Sequence, residues 1–178
     1  MARRDAAGQG LLTLVLGGAR SGKSRYADWL IATYPPPWIY VATAEAMDDE
    51  MAERIAAHRA RRDAAWRTVE APHDLAKALA AVPAGSAVLV DCLTLWLSNR
   101  MLAEADMDQG IEHLETVLSS LDGGVVLVSN EVGLGIVPDN ALARRFRDKQ
   151  GILNQRLAAR ATRVVMMVAG LPVPVKGP

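Results

Sequence analysis

Five aliphatic runs punctuate the chain, at residues 11–16, 38–42, 86–91, 124–129 and 164–169. Each has the length of a strand and is apolar at nearly every position, the pattern of a strand buried on both faces. Between them lie segments with helical spacing, at residues 25–32, 48–62, 72–82, 93–103, 108–121 and 140–161. In the first of these Tyr26, Trp29 and Leu30 fall on one side, and in the last Leu142, Phe146, Leu153 and Leu157 form the stripe that should face the core. Alternating strands and helices predict a single α/β domain over residues 11–178, with a mostly parallel sheet flanked by helices. Pro35-Pro36-Pro37 and Asp122-Gly123-Gly124 mark stops between a helix and the next strand. The tail, Gly170-Leu171-Pro172-Val173-Pro174-Val175-Lys176, is interrupted by proline and reads as an edge strand or an extended arm toward a neighbouring subunit. Residues 1–10 read as a frayed terminus.

The first run ends in Gly17-Gly18-Ala19-Arg20-Ser21-Gly22-Lys23-Ser24, and a helix follows at once. This is a phosphate-binding loop in its proper setting: glycines let backbone N–H groups curl around phosphate oxygens, and the helix N-terminus adds partial positive charge. Lys23 is expected to bridge the outer phosphates and Ser24 to ligate Mg2+. The fold expected is therefore the P-loop, RecA-like class, binding a nucleoside triphosphate.

Composition narrows the partners. The 178 residues are 51% hydrophobic, with 20 basic and 20 acidic side chains and no formal net charge. Nothing global favours nucleic acid or a membrane surface, and a small-molecule substrate is the better expectation. The single cysteine, Cys92, cannot form an internal disulfide, and no apolar run approaches the roughly 20 residues that span a bilayer, so a cytoplasmic protein is expected.

Strand ends supply the remaining chemistry. Asp91 closes Ala87-Val88-Leu89-Val90-Asp91 and is the candidate Mg2+ carboxylate, with the alternative that it caps the helix starting near Leu93. Asn130 and Glu131 end a later run ahead of Gly133 and Gly135, either beside a ligand or merely closing a turn. His58 follows a helix start rich in acids, with Arg54 and Arg61 at helical spacing around it. Flanking cations would keep that imidazole neutral and nucleophilic and would steady a phosphoryl group attached to it, although the same spacing describes a solvated basic helix. His73 and His113 read as structural. The basic stretch Arg144-Arg145-Phe146-Arg147-Asp148-Lys149 reads as a solvated face, with a phosphate-bearing substrate or a subunit contact as alternatives.

Taken together, GGARSGKSRYAD, YVATAEAMDDEMAERIAAHRARR, WRTVEAP, VLVDCLTLWLSN, VSNEVGLGIVPDNALARRFRDKQGILNQRLA and VVMMVAGLPVPVK, from about residue 11 to residue 176, resemble the bifunctional adenosylcobinamide kinase/adenosylcobinamide-phosphate guanylyltransferase family of cobalamin biosynthesis. The resemblance implies two reactions. ATP or GTP phosphorylates the hydroxyl of adenosylcobinamide, and GMP from GTP is then added to give adenosylcobinamide-GDP and pyrophosphate. The family passes GMP through a guanylylated histidine, which here falls on His58. The same resemblance implies that Ala42, Thr43, Ala44, Arg59, Ala60, Arg61 and Arg62 line the nucleotide site, that Glu70 and Asp91 complete it, and that the protein is a homotrimer. A guanine-reading role for Glu70 rests on the ability of a carboxylate to accept two N–H bonds from the guanine edge. Two other readings of the residues are a simple small-molecule kinase with a structural His58, and a nucleotide-gated switch, which the missing N-K-x-D signature disfavours.

Overall fold

The computed structural model describes residues 11–46, 48–60 and 62–177, without the side chains of Glu50, Arg54 and His58. The expectation for residues 1–10 lies outside the described residues. The chain runs β1 (Leu12–Gly17), α1 (Lys23–Ile31), β2 (Trp38–Ala42), α2 (Asp49–Ala60), β3 (Trp66–Glu70), α3 (Leu75–Ala80) and β4 (Ala87–Asp91). It continues through α4 (Leu93–Leu102), α5 (Met107–Leu118), β5 (Val125–Asn130), α6 (Ala141–Arg160), β6 (Arg163–Val168) and β7 (Leu171–Lys176). The strands form one sheet in the order β3-β2-β4-β5-β1-β6-β7, parallel throughout except for β7, which pairs antiparallel with β6.

Alternate strand residues feed two cores, as the period of two in a pleated strand requires. Leu14, Val41, Val90 and Leu127 point to one face, where Leu79 of α3, Leu97 of α4, Ile111 of α5 and Leu153 of α6 cover them. Val15, Tyr40, Leu89 and Val126 point to the other face, against Ala27, Leu30 and Ile31 of α1. The five aliphatic runs are the five central strands. β3 escaped the sequence reading because it is an edge strand, Trp66-Arg67-Thr68-Val69-Glu70, with no fully buried residue to mark it. The proline-bearing tail is the opposite edge, exposed along its whole length.

Two helix faces differ from expectation. In α1, Trp29 is 60% exposed and stacks on Tyr26 with centroids 5.5 Å apart, while Ala27, Leu30 and Ile31 fill the core. In α6, Leu142 is 52% exposed and the buried stripe includes Gln150 and Asn154 beside Leu153 and Leu157. The reason is length. A helix of 20 residues is about 30 Å long and a strand of six about 20 Å, so the first turns of α6 run past the carboxyl edge of the sheet.

Candidate active site

The carboxyl edge of the sheet collects the candidate functional residues because the parallel strands all end there. Ala42 of β2 stands level with Glu70 of β3 on one side and Asp91 of β4 on the other. Gly17 of β1 stands level with Asn130 of β5, and the Glu131 N–H donates to the Gly17 carbonyl at 3.1 Å. Segments distant in sequence are thus set along one rim.

The phosphate loop is built by backbone geometry. Gly17 at φ 152 and Gly22 at φ 95 adopt conformations that side chains disfavour. A Cβ on Gly17 would stand 2.6 Å from Ser21 Oγ and 2.7 Å from the Met167 carbonyl oxygen. The loop is also tied to the β6–β7 turn, where the Gly170 N–H donates to the Ser21 carbonyl at 3.0 Å. Ser21 Oγ is buried and has no hydrogen-bond partner among the described residues, a polar atom that a phosphate oxygen would satisfy. Helix α1 opens on Gly22, with no side-chain cap and no acid in its first turn, so its leading N–H groups remain for an anion. Ala19 and Arg20 form the exposed outer part of the loop.

Lys23 is buried and its ammonium donates to the Gly18 carbonyl at 2.6 Å, spanning the loop. Burial pulls this lysine below its usual range, opposed by Cys92 and Asp91. Burial and the Asp91 charge push the Cys92 thiol up to about 11, so near pH 7 it is neutral and Asp91 is the counter-charge that Lys23 feels. Asp91 does not cap α4. That position belongs to Cys92, which makes no side-chain cap bond.

Around Asp91 the structure adds a residue that the sequence did not single out. Tyr40 Oη donates to Asp91 Oδ2 at 3.2 Å, and the Arg62 guanidinium lies 3.1 Å over the centre of the tyrosine ring. Burial first, and the Asp91 charge second, hold the Tyr40 hydroxyl above its ordinary range, so it remains a donor at any physiological pH. Asn99 was also missed. Its amide donates to the Thr43 carbonyl at 2.9 Å and the Pro72 carbonyl at 3.1 Å, pinning two rim loops to α4. A lone amide in the apolar run Leu93-Thr94-Leu95-Trp96-Leu97 and its continuation was the available signal.

The remaining expected residues are distributed as follows. Thr43 is fully buried, and its hydroxyl donates to the Cys92 carbonyl at 2.7 Å and accepts from the Cys92 N–H at 2.8 Å. It therefore shapes the rim between Ala42 and Ala44 from within, and its hydroxyl is spent on that task. Arg59 and Glu70 meet as an ion pair, which carries the end of α2 to the end of β3. Both side chains are more than half exposed, so the pair orients more than it stabilises. Ala60 is exposed beside it, and the Arg62 N–H donates to the Arg59 carbonyl at 3.1 Å. His58 and Arg54 lie on α2, but their side chains, and Arg61 altogether, lie outside the described residues. Glu131 accepts from the Gly133 N–H, so the turn-closing role is realised. The basic stretch is internally engaged: Arg144 donates to the carbonyls of Pro138 and Asp139, and Lys149 pairs with Asp108 at 2.7 Å.

Among the described residues, no three His, Cys, Asp or Glu side chains cluster as a metal site, and no helix is long and apolar enough to cross a membrane. Ser24 and Asp91 offer hard oxygen donors, the set that suits Mg2+ completed by phosphate oxygens and water.

A family model for cobinamide kinase / cobinamide phosphate guanyltransferase matches residues 13–175. The chain belongs to this family. The match spans the sheet from β1 to β7 and so takes in the whole rim. Within the cobinamide kinase / guanyltransferase family, the chain is 52% identical over 167 residues to the bifunctional adenosylcobalamin biosynthesis protein CobP of Pseudomonas aeruginosa, covering 92% of this chain and 96% of that one. It is 42% identical over 182 residues to the bifunctional adenosylcobalamin biosynthesis protein CobU of Salmonella typhimurium, covering 93% of this chain and 100% of that one. A solved structural-project protein from Pyrococcus horikoshii OT3 is similar in fold alone, with TM-score 0.55 at 10% identity over 96% of this chain and 87% of that one.

Proposed function

We propose that this member of the family phosphorylates adenosylcobinamide with ATP or GTP and then transfers GMP from GTP to the phosphate, through a guanylylated His58. The observation that carries the reading is the shared rim, where Glu70 and Asp91 end the strands on either side of β2, the phosphate loop follows β1 two strands beyond Asp91, and Arg59 holds the end of α2 against Glu70.

In the first reaction the acceptor hydroxyl oxygen forms a bond to the γ-phosphorus and gives up its proton to solvent, the bond from that phosphorus to the β-phosphate oxygen breaks, and a nucleoside diphosphate leaves. The loop N–H groups and Lys23 hold the phosphates in line and neutralise charge on them. Mg2+, when held by Ser24 and Asp91, supplies further charge neutralisation. In the second reaction an imidazole nitrogen of His58 forms a bond to the α-phosphorus of GTP and pyrophosphate leaves. A phosphate oxygen of adenosylcobinamide phosphate then displaces the imidazole, which leaves with its electron pair and is ready for another cycle. Glu70 is assigned to the guanine edge, with Arg59, Ala60, Arg61 and Arg62 lining the nucleotide site. A homotrimer is part of the same proposal, and the exposed Leu171, Val173 and Val175 on β7 are consistent with a covered face.

Incubation with labelled GTP is expected to leave an adduct on His58 that is acid-labile and base-stable, with release of pyrophosphate. His58→Ala is expected to abolish the adduct and guanylyl transfer while sparing much of the phosphorylation. A wild-type protein that phosphorylates but forms no adduct would reduce the reading to a simple kinase.

A further inference from the structure

We propose that Tyr40 is a positioning residue for Asp91: its hydroxyl, fixed by the packing of its ring, aims the carboxylate at the Lys23 and Ser24 end of the phosphate loop. The inference rests on the reading of Asp91 as the carboxylate that serves Mg2+, and goes beyond it by assigning the group that orients that carboxylate.

The strand register brings the two residues together. Tyr40 is paired with Leu89 and Ala42 with Asp91, so Tyr40 and Asp91 lie on the same face of adjacent strands, one pleat apart. That is the face α1 packs against, and Lys23 begins α1. The tyrosine is 5% exposed, and its ring is bounded on two sides. Trp66 of β3 meets it edge-on, with centroids 6.2 Å apart and planes at 77°, and the Arg62 guanidinium covers its face at 3.1 Å. A buried ring held in this way has one place to put its hydroxyl, and the structure puts it 3.2 Å from Asp91 Oδ2. The buried O–H donor holds Asp91 Oδ2 on the face where Lys23 begins α1, and so helps set how the carboxylate presents its oxygens to the loop. Arg62 also stands two residues past the end of α2. The segment bearing His58 thus ends on the residue that grips Tyr40, which joins the guanylyl-transfer helix to the metal-side carboxylate through one ring.

The test uses Tyr40→Phe in the full chain, which keeps the ring, Trp66 and Arg62 contacts and removes one oxygen. Calorimetry with the α,β-methylene analogue of GTP, which cannot release pyrophosphate to His58, gives its dissociation constant with excess EDTA and with saturating Mg2+, and the ratio of the two measures what the metal adds. Tyr40→Phe is expected to cut that ratio about tenfold, the usual effect of losing a group that orients a metal ligand, and to leave the EDTA value unchanged. Asp91→Asn is expected to abolish the ratio. Val41→Ala, a neighbouring core truncation on the opposite face, is expected to lower the melting temperature and leave the ratio alone. An unchanged ratio in Tyr40→Phe, with the ratio lost in Asp91→Asn, would overturn the role of Tyr40 and spare that of Asp91. A ratio retained in Asp91→Asn would overturn both. An equal fall in Val41→Ala would make the effect one of general softening and overturn the positioning role.

Discussion

At the scale of single residues, the phosphate loop was legible in the sequence because its chemistry is local: eight consecutive residues set their own backbone and place Lys23 and Ser24 at the start of a helix. Gly17 shows how little freedom that leaves. Gly17→Ala is expected to destabilise the fold by about 2 kcal/mol and to weaken triphosphate binding, since the new methyl meets Ser21 Oγ and the Met167 carbonyl. Urea unfolding and GTP titration of the same preparation check both parts. Under the proposed function, in which the one buried cation Lys23 serves the phosphates in each half-reaction, Lys23→Ala is expected to lower the turnover of both by roughly 100-fold or more. Parallel assays of phosphorylation and pyrophosphate release would show it, and a loss confined to phosphorylation would mean that the two reactions use different cations. Tyr40 was not legible. A tyrosine in an apolar run reads as core, and only the partner strand shows that its hydroxyl reaches Asp91.

At the scale of elements, periodicity located every helix and central strand among the described residues, but it put Trp29 of α1 and Leu142 of α6 on the core side, where the structure exposes them. α6 has two sides of interest. One buries Gln150 and Asn154 in a hydrogen-bonded group with Ser129, in which Ser129 Oγ donates to Asn154 Oδ1 at 2.7 Å and Asn154 donates to the Asn130 carbonyl at 3.1 Å. This group anchors the end of β5 beside β1, and polar residues in a helical stripe gave no hint of it. The other side clasps α5. Arg156 donates to both carboxylate oxygens of Glu115, at 2.8 and 2.7 Å, and Arg160 adds a third contact at 3.3 Å. The hydrogen bond from Arg156 outweighs burial and holds the Glu115 carboxyl below its ordinary range. A carboxyl whose pKa falls on folding adds stability that is present above its unfolded pKa and is lost as the pH drops through the folded value. Glu115→Gln is therefore expected to cost about 2 kcal/mol at pH 7, discounted for the partly exposed arginines, and much less near pH 3. Paired denaturant melts at the two pH values test the sign, and a cost that grew on acidification would refute it.

At the scale of the whole molecule, the edges of the sheet differ in what they offer. β7 carries Pro172 and Pro174, which lack the N–H that a further strand would need, yet it exposes Leu171, Val173 and Val175. Side-chain packing is thus the mode of association this edge favours over strand addition. Under the proposed trimer, Leu171→Asp with Val175→Asp is expected to shift the protein to monomer in light scattering while the phosphate loop still binds GTP. A trimer that survives both substitutions would place its contact elsewhere. The sequence by itself determined the fold class, the phosphate loop and the strand ends, because each depends on neighbours a few residues away: runs long enough to cross a sheet, glycines where a turn must close, and a charge where a run stops. Tertiary structure decided which strand ends are neighbours. Parallel order set Ala42, Glu70 and Asp91 on one level, carried Arg59 to Glu70 and Tyr40 to Asp91, and left Leu142 outside the core, because contacts between strands depend on the register of the sheet and spacing along the chain does not encode it.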